Sequence, residues 1–251
     1  MIGSAPSGQA LVKGRIGLFD IVRGFSVLSM VLFHLCYDLN FLANVDLLWF
    51  EPPLQDIWRA SISWTFLFVA GCMCPLSRSN LRRSLEYGAV AALIWAATSL
   101  IAVDTPISFG IIFCMSACTF VAYVLQRFDA LPSGAVAAAL LLLGFLLLQG
   151  ISDGTVAFGL VQLPKELYAT EWLSWLGFPG PHFSSGDYYP LLPYLLMFLC
   201  GASLGSFWKS RGYPVWAMKV RLEPFTTLGR HALIVYLLHQ PLILAVVGLI
   251  S

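Results

Sequence analysis

One stretch, Phe19–Asn40 (FDIVRGFSVLSMVLFHLCYDLN), constrains this chain more than any other. It is apolar enough to enter a bilayer, yet it carries Asp20 and Arg23 at one end and His34 and Asp38 at the other. On a helix, Asp20 and Asp38 are separated by about five whole turns and point the same way, with His34 about 40° and Arg23 about 60° off that line. An ionisable side chain facing lipid costs at least ~2.5 kcal/mol, so such groups face protein or a water-filled cavity. Four of them on one stripe predict a helix turned toward other helices, and an all-α bundle around it.

The rest of the chain supports a membrane setting. It is 59% hydrophobic and only 11% charged, with a mean hydropathy of +0.81, where soluble domains carry about 25% charged residues. A net charge of +1 gives no reason to expect nucleic acid as a partner. Cys36, Cys72, Cys74, Cys114, Cys118 and Cys200 all fall within apolar runs, which predicts packing residues rather than a disulfide framework or a zinc motif. Residues 1–14 are small and polar and read as a flexible tail, and no cleavable signal peptide is expected.

Seven apolar segments follow in order: Gly17–Phe41, Arg59–Ser77, Tyr87–Val103 (stopping at Asp104), a segment opened by Thr105-Pro106, Ala130–Gly150, one beginning at Asp187, and one from Thr226 to the end. Each matches a hydrocarbon core of about 30 Å. With the N-terminus inside, ten Lys and Arg residues fall in inner segments and only Arg59 and Lys165 in outer ones. By the positive-inside rule the C-terminus is then outside. Residues 15–251 are expected to form a single transmembrane domain in the inner (cytoplasmic) membrane, with one long outer loop, 152–186. Connections of that length are commonly functional.

This arrangement sorts the candidate residues by depth. Asp20 and Arg23 lie near the inner surface, whereas His34, roughly 21 Å further along the helix, lies in the outer half with Asp38. His239 and Asp187 reach the same level. His34 and Asp38, one turn apart, have the makings of a base and its orienter. Pro241 frees the Leu237 carbonyl, which predicts a bent or opened helix beside His239 and Gln240. Asp187-Tyr188 could hold a saccharide or serve as a helix cap and interfacial anchor. Trp172 and Trp175 offer stacking faces or interface anchors, and His182 is an exposed loop histidine.

At these residues a family resemblance becomes visible. Arg15-x4-Asp20-x2-Arg23-Gly24 and the following FHLCYDLNF resemble the heparan-α-glucosaminide N-acetyltransferase family, especially its short bacterial members. WTFLFVAGCMCPLS, GDYYPLLPYLLMFLCGASLG and LGRHALIVYLLHQPLI are similar in the same order. The resemblance implies an acetyl group taken from acetyl-CoA on the cytosolic side and passed to an amino or hydroxyl group of a saccharide on the far side. It implies His34 as the catalytic histidine, with Asp38 beside it; His239, beside the expected break at Pro241, is a further catalytic candidate from the residues themselves. Arg15, Asp20, Arg23 and Arg230 would meet the CoA end of the donor; Asp187, Tyr188, Trp172 and Gln240 would meet the acceptor. Phe113 departs from the pattern, since FGIIF stands where bacterial members often read FGILH.

Two other functions fit the residues. A His/Asp line within the membrane also suits a small proton-coupled transporter or channel, although no inverted repeat is apparent. His34, Asp38 and His239 could in principle ligate a metal, but no metal is expected. Membrane lipid is an expected partner. The acceptor, the acyl chain, N- versus O-transfer, an acyl-histidine intermediate and the oligomeric state, a homo-oligomer included, stay open.

Overall fold

The computed structural model of the chain describes residues 15–101 and 105–249; the N-terminal tail and Asp104 lie outside them. The architecture is all-α. Seven apolar helices fall on the seven apolar segments: α1 Gly17–Phe41, α2 Leu54–Met73, α3 Asn80–Ile101, α4 Ile111–Arg127, α5 Ala135–Leu147, α6 Leu191–Arg211 and, after the short α7 Val215–Lys219 and α8 Phe225–Arg230, α9 Ala232–Val247. Five of the seven are long and apolar enough to cross a membrane, α2 and α5 being continued by 3₁₀ turns, while α4 and α9 are apolar but shorter.

Two glycine-lined crossings set the bundle. A Cβ on Gly24 would sit 1.9 Å from the Phe225 carbonyl oxygen, and one on Gly229 would sit 1.7 Å from that of Asp20, so α1 and α8 meet backbone to backbone. At the second crossing, Cβ atoms on Gly71 and Gly201 would each approach a carbonyl of the facing helix to 2.0 Å, joining α2 to α6. Between apolar helices in lipid, this close approach replaces the hydrophobic drive available in water. The core between α2, α4 and α6 is filled by Leu67, Met115, Phe198 and Phe145. Five of the six cysteines are buried, and all six are free.

Four sequence expectations are corrected. The fourth helix does not open at Thr105-Pro106: residues 105–110 are irregular, and α4 starts at Ile111. The backbone N–H of Ile111 is capped by Asp187 Oδ2 at 3.1 Å, and Ser108 is tied to Ser185, so long-range partners set the start. Correspondingly, α6 begins at Leu191 rather than Asp187. The segment from Thr226 is two helices, interrupted at His231 (φ −106°, ψ 18°). Pro241 does not open α9, which stays helical through it.

The loop 152–186 is built from 3₁₀ turns and a small hairpin, β1 Thr155–Val156 against β2 Val161–Gln162, with Thr155 opposite Gln162. It is pinned to the bundle by the Tyr188 hydroxyl, which donates to the Ser174 carbonyl at 2.5 Å, and by the N–H of Leu191, which donates to the Trp175 carbonyl at 2.9 Å.

Candidate active site

The two ends of α1 carry different chemistry. At its N-terminal end Asp20 is buried, 1% exposed, and faces two guanidinium groups: Arg15 Nε at 2.8 Å and Arg230 Nε at 3.7 Å from Oδ2. Both arginines keep access to the surface, their side chains 54% and 34% exposed. The α1–α8 glycine contact lies between Asp20 and Arg230 and holds these groups in register. Arg23 points elsewhere. Its guanidinium reaches Met73 Sδ at 3.8 Å and borders a cavity of about 10 Å³, room for about one water, shared with Tyr87, Leu233 and Tyr236. Arg15, Asp20 and Arg230 thus form one ion cluster, with Arg23 on its interior side.

At the other end, α1 packs against α9. The rings of His34 and His239 lie 4.9 Å apart between centroids, and Asp38 Oδ2 accepts from Gln240 Nε2 at 2.8 Å. All four residues are therefore together, as a histidine pair beside a carboxylate–amide pair. His239 Nδ1 lies 2.5 Å from the Tyr236 carbonyl oxygen. A carbonyl can only accept, so Nδ1 carries the proton and the neutral ring keeps its lone pair on Nε2. Among the described residues, His239 Nε2 and Gln240 Oε1 are buried with no hydrogen-bond partner, as are Thr119 Oγ1 and the two Asp20 oxygens, the latter facing guanidinium charge instead. Orphaned buried acceptors are costly unless something donates to them. An amine or hydroxyl would do so.

Phe33, Phe50, Trp49 and Trp58 brace this end of α1, Phe33 stacking edge-on against Trp58 at 5.4 Å. The Trp58 indole N–H donates to Ser29 Oγ at 2.8 Å.

The remaining candidates lie apart from the pair. Asp187 is taken up by the α4 N-terminus. Burial pushes the Tyr188 phenol up to about 12, and its hydroxyl is engaged by the loop. Trp172 is 84% exposed, Trp175 40%, and His182 is exposed, its backbone N–H donating to Glu171 Oε1 at 3.0 Å. Among the described residues no three His, Cys, Asp or Glu side chains converge as a metal-holding group.

Tyr236 was not singled out from the sequence. Its ring lies 5.4 Å from His239, its carbonyl fixes the His239 tautomer, and its side chain borders both the Arg23 cavity and a larger one between α3 and α4. The available signal was a tyrosine one turn before a histidine in an otherwise apolar helix.

The model of the heparan-α-glucosaminide N-acetyltransferase catalytic domain matches residues 15–241, from the arginine that pairs with Asp20 to the proline after Gln240. The chain belongs to this family. Both ends of α1 and the histidine of α9 lie within the match, and membership makes the chain a membrane-embedded transferase of the acetyltransferase kind. No curated protein and no solved structure matches it.

Proposed function

We propose that the protein transfers an acetyl group from cytosolic acetyl-CoA to an amino or hydroxyl group of a saccharide on the outer side of the inner membrane. The reading puts the N-terminal end of α1 on the cytosolic side, as the ten-to-two distribution of Lys and Arg favours. It treats residues 15–251 as one catalytic unit. The observation that carries it is the His34/His239 pair with a buried, unpartnered Nε2.

In this scheme Arg15 and Arg230, oriented by Asp20, bind donor phosphates through charge-assisted hydrogen bonds; Arg23 adds positive charge on the path inward. At the far end the acceptor's N–H or O–H donates to His239 Nε2. As the nucleophile attacks the thioester carbonyl, its proton passes to the histidine pair and the new C–N or C–O bond forms; the C–S bond then breaks and the imidazolium returns the proton to the departing sulfur, releasing CoA thiol. Asp38, held by Gln240, supplies negative charge next to the imidazolium that develops. The free Gln240 Oε1 accepts a second acceptor hydrogen and so orients it.

Purified protein supplied with labelled acetyl-CoA and a panel of amino and hydroxyl sugars tests this. Wild type should transfer label, and His34→Ala and His239→Ala should each lower the rate by about 10²–10⁴-fold. Acetyl-CoA binding in both variants should stay close to wild type, since the ion cluster lies at the other end of α1. Wild-type transfer rates in both variants would remove the histidines from the chemistry. Failure of the wild type to transfer to any acceptor while moving protons across a vesicle membrane would favour the transporter.

A further inference from the structure

A cavity of about 520 Å³ lies between α3 and α4, in the half of the bundle that holds the histidine pair. On α3 its rim is Gly88, Ala91, Ala92 and Trp95; deeper in, Phe113 and Tyr236 form its wall. Apart from Ser108, Ser116, Tyr236 and the indole N–H of Trp95, its lining is apolar. Three observations bear on what it takes. Its rim is on α3, of whose apolar stretch only 6% is buried; Ala92 and Trp95 are exposed there, so the opening faces the hydrocarbon of the bilayer rather than water. The residues at that rim are small, Gly88, Ala91 and Ala92, and leave the opening unfilled. Its wall, Tyr236, is the residue whose ring and carbonyl both meet His239.

We propose that this cavity holds the hydrocarbon tail of an amphiphilic acceptor, so that the substrate class is a lipid-linked saccharide or amine rather than a free soluble sugar. The inference rests on the acetyltransferase reading and specifies its acceptor. A tail gains little simply by moving from lipid into an apolar protein slot, because both surroundings are apolar. What the slot provides is position: a tail threaded between α3 and α4 fixes its polar head at the depth of His239, which is the proximity an acyl transfer needs. Phe113 fits this use, adding apolar wall where a histidine would place a polar group against the tail.

The test uses full-length protein in phosphatidylcholine nanodiscs and a long-chain alkyl glucosaminide bearing a diazirine in its tail. Photolabel should map to peptides of α3 and α4 that border the cavity. Decyl glucosaminide should compete with it and methyl glucosaminide should not. Ala92→Phe, at the exposed rim, should cut labelling at least tenfold, while Phe113→Ala, which widens the slot, should retain it; melting curves report that both variants fold. Labelling spread over all lipid-facing surfaces and unchanged in Ala92→Phe would overturn the proposal, leaving only ordinary lipid contact. Equal competition by methyl glucosaminide would overturn it as well, and displacement by decanoyl-CoA instead of decyl glucosaminide would assign the cavity to the donor. Labelled acetyl-CoA is supplied to the same samples: specific labelling without acetyl transfer would sink the acetyltransferase reading while retaining the tail site.

Discussion

The two ends of α1 are held by different means. At the Asp20 end, backbone meets backbone through Gly24 and Gly229, and every charge of the cluster sits near an opposite one. At the His34 end, contacts are between side chains, the groups are aromatic or hydrogen-bonding, and the buried acceptors left without a hydrogen bond among the described residues, His239 Nε2 and Gln240 Oε1, are neutral, whereas the Asp20 oxygens, which also lack one, face guanidinium charge. On the proposed function, the first end holds fixed charges against a polyanion arriving from water, and the second keeps a lone pair available within the bundle, where the transferred proton goes. One helix can serve both because its stripe of polar residues passes from a surface-connected cluster to an enclosed one.

The largest expected effect breaks the comparison on stability. Gly24→Val or Gly229→Val places a side chain where a Cβ alone would meet backbone at 1.9 Å or 1.7 Å. Backbone cannot yield as a side chain does, so the expected cost is above about 4 kcal/mol and folded protein is lost. Past the crossing, at the midpoint of α1 on the side braced by Trp58, Ser29→Ala removes the hydrogen bond from Trp58 and should cost about 1 kcal/mol. Thermal melts of the detergent-purified variants check both. Equal tolerance at the two sites would mean that they do not differ in rigidity.

Much of this organisation was legible in the sequence because periodicity fixes it. Asp20, His34 and Asp38 share a stripe by helical spacing alone, and the order of apolar segments gives the order of helices. The site was legible only in its residue types. That His34 faces His239, and that Asp38 is met by Gln240, depends on the rotation of α9 against α1, which local spacing does not encode. The start of α4 was misplaced for a related reason: Thr105-Pro106 is a good local start signal, but Asp187, far along the chain, supplies the cap further on. The break at His231 had no glycine or proline at its own position, whereas Pro241, the obvious breaker, is accommodated within α9.

A second pair of variants sharpens the comparison on function. Arg15→Ala removes one guanidinium yet leaves Arg230 near Asp20, so the buried carboxylate is not left without a counter-charge. It should weaken acetyl-CoA binding by about 10-fold, as expected for losing one charge-assisted hydrogen bond, with little change in rate at saturating donor. Asp38→Asn keeps the shape of its pair but loses the charge beside the histidines. It should lower the rate by about 10-fold or more with donor affinity unchanged. Isothermal titration for binding and single-turnover transfer for rate, on the same preparations, separate the two. A variant that moves both quantities together would show the ends to be coupled rather than distinct.

The smallest effect concerns Asp187, which belongs to the His34 end by depth but is used there as a helix cap. Burial raises its carboxyl above the ordinary carboxylate range, opposed by the Ile111 N–H it accepts from and by the charge of Arg59. A carboxyl raised in the folded state contributes stability that is complete below its unfolded value, about 3.9, and is lost as pH rises through the folded value. Near neutrality the ionised group is therefore a net cost to folding relative to its protonated form. Asp187→Asn keeps an oxygen for the Ile111 N–H and removes the charge, so at pH 7 it should be as stable as wild type or slightly more, by less than about 1 kcal/mol. Its melting temperature should vary less than that of wild type as pH rises from acid to neutral. Asp187→Ala, lacking the acceptor, should instead lose about 1 kcal/mol. Melting curves across that pH range, with acetyl transfer assayed alongside, make the decision. If Asp187→Asn melts like wild type but loses transfer to the sugar acceptors, the carboxylate works on the acceptor as well as on α4, and the chemical end of the molecule extends beyond the histidine pair to the loop above it.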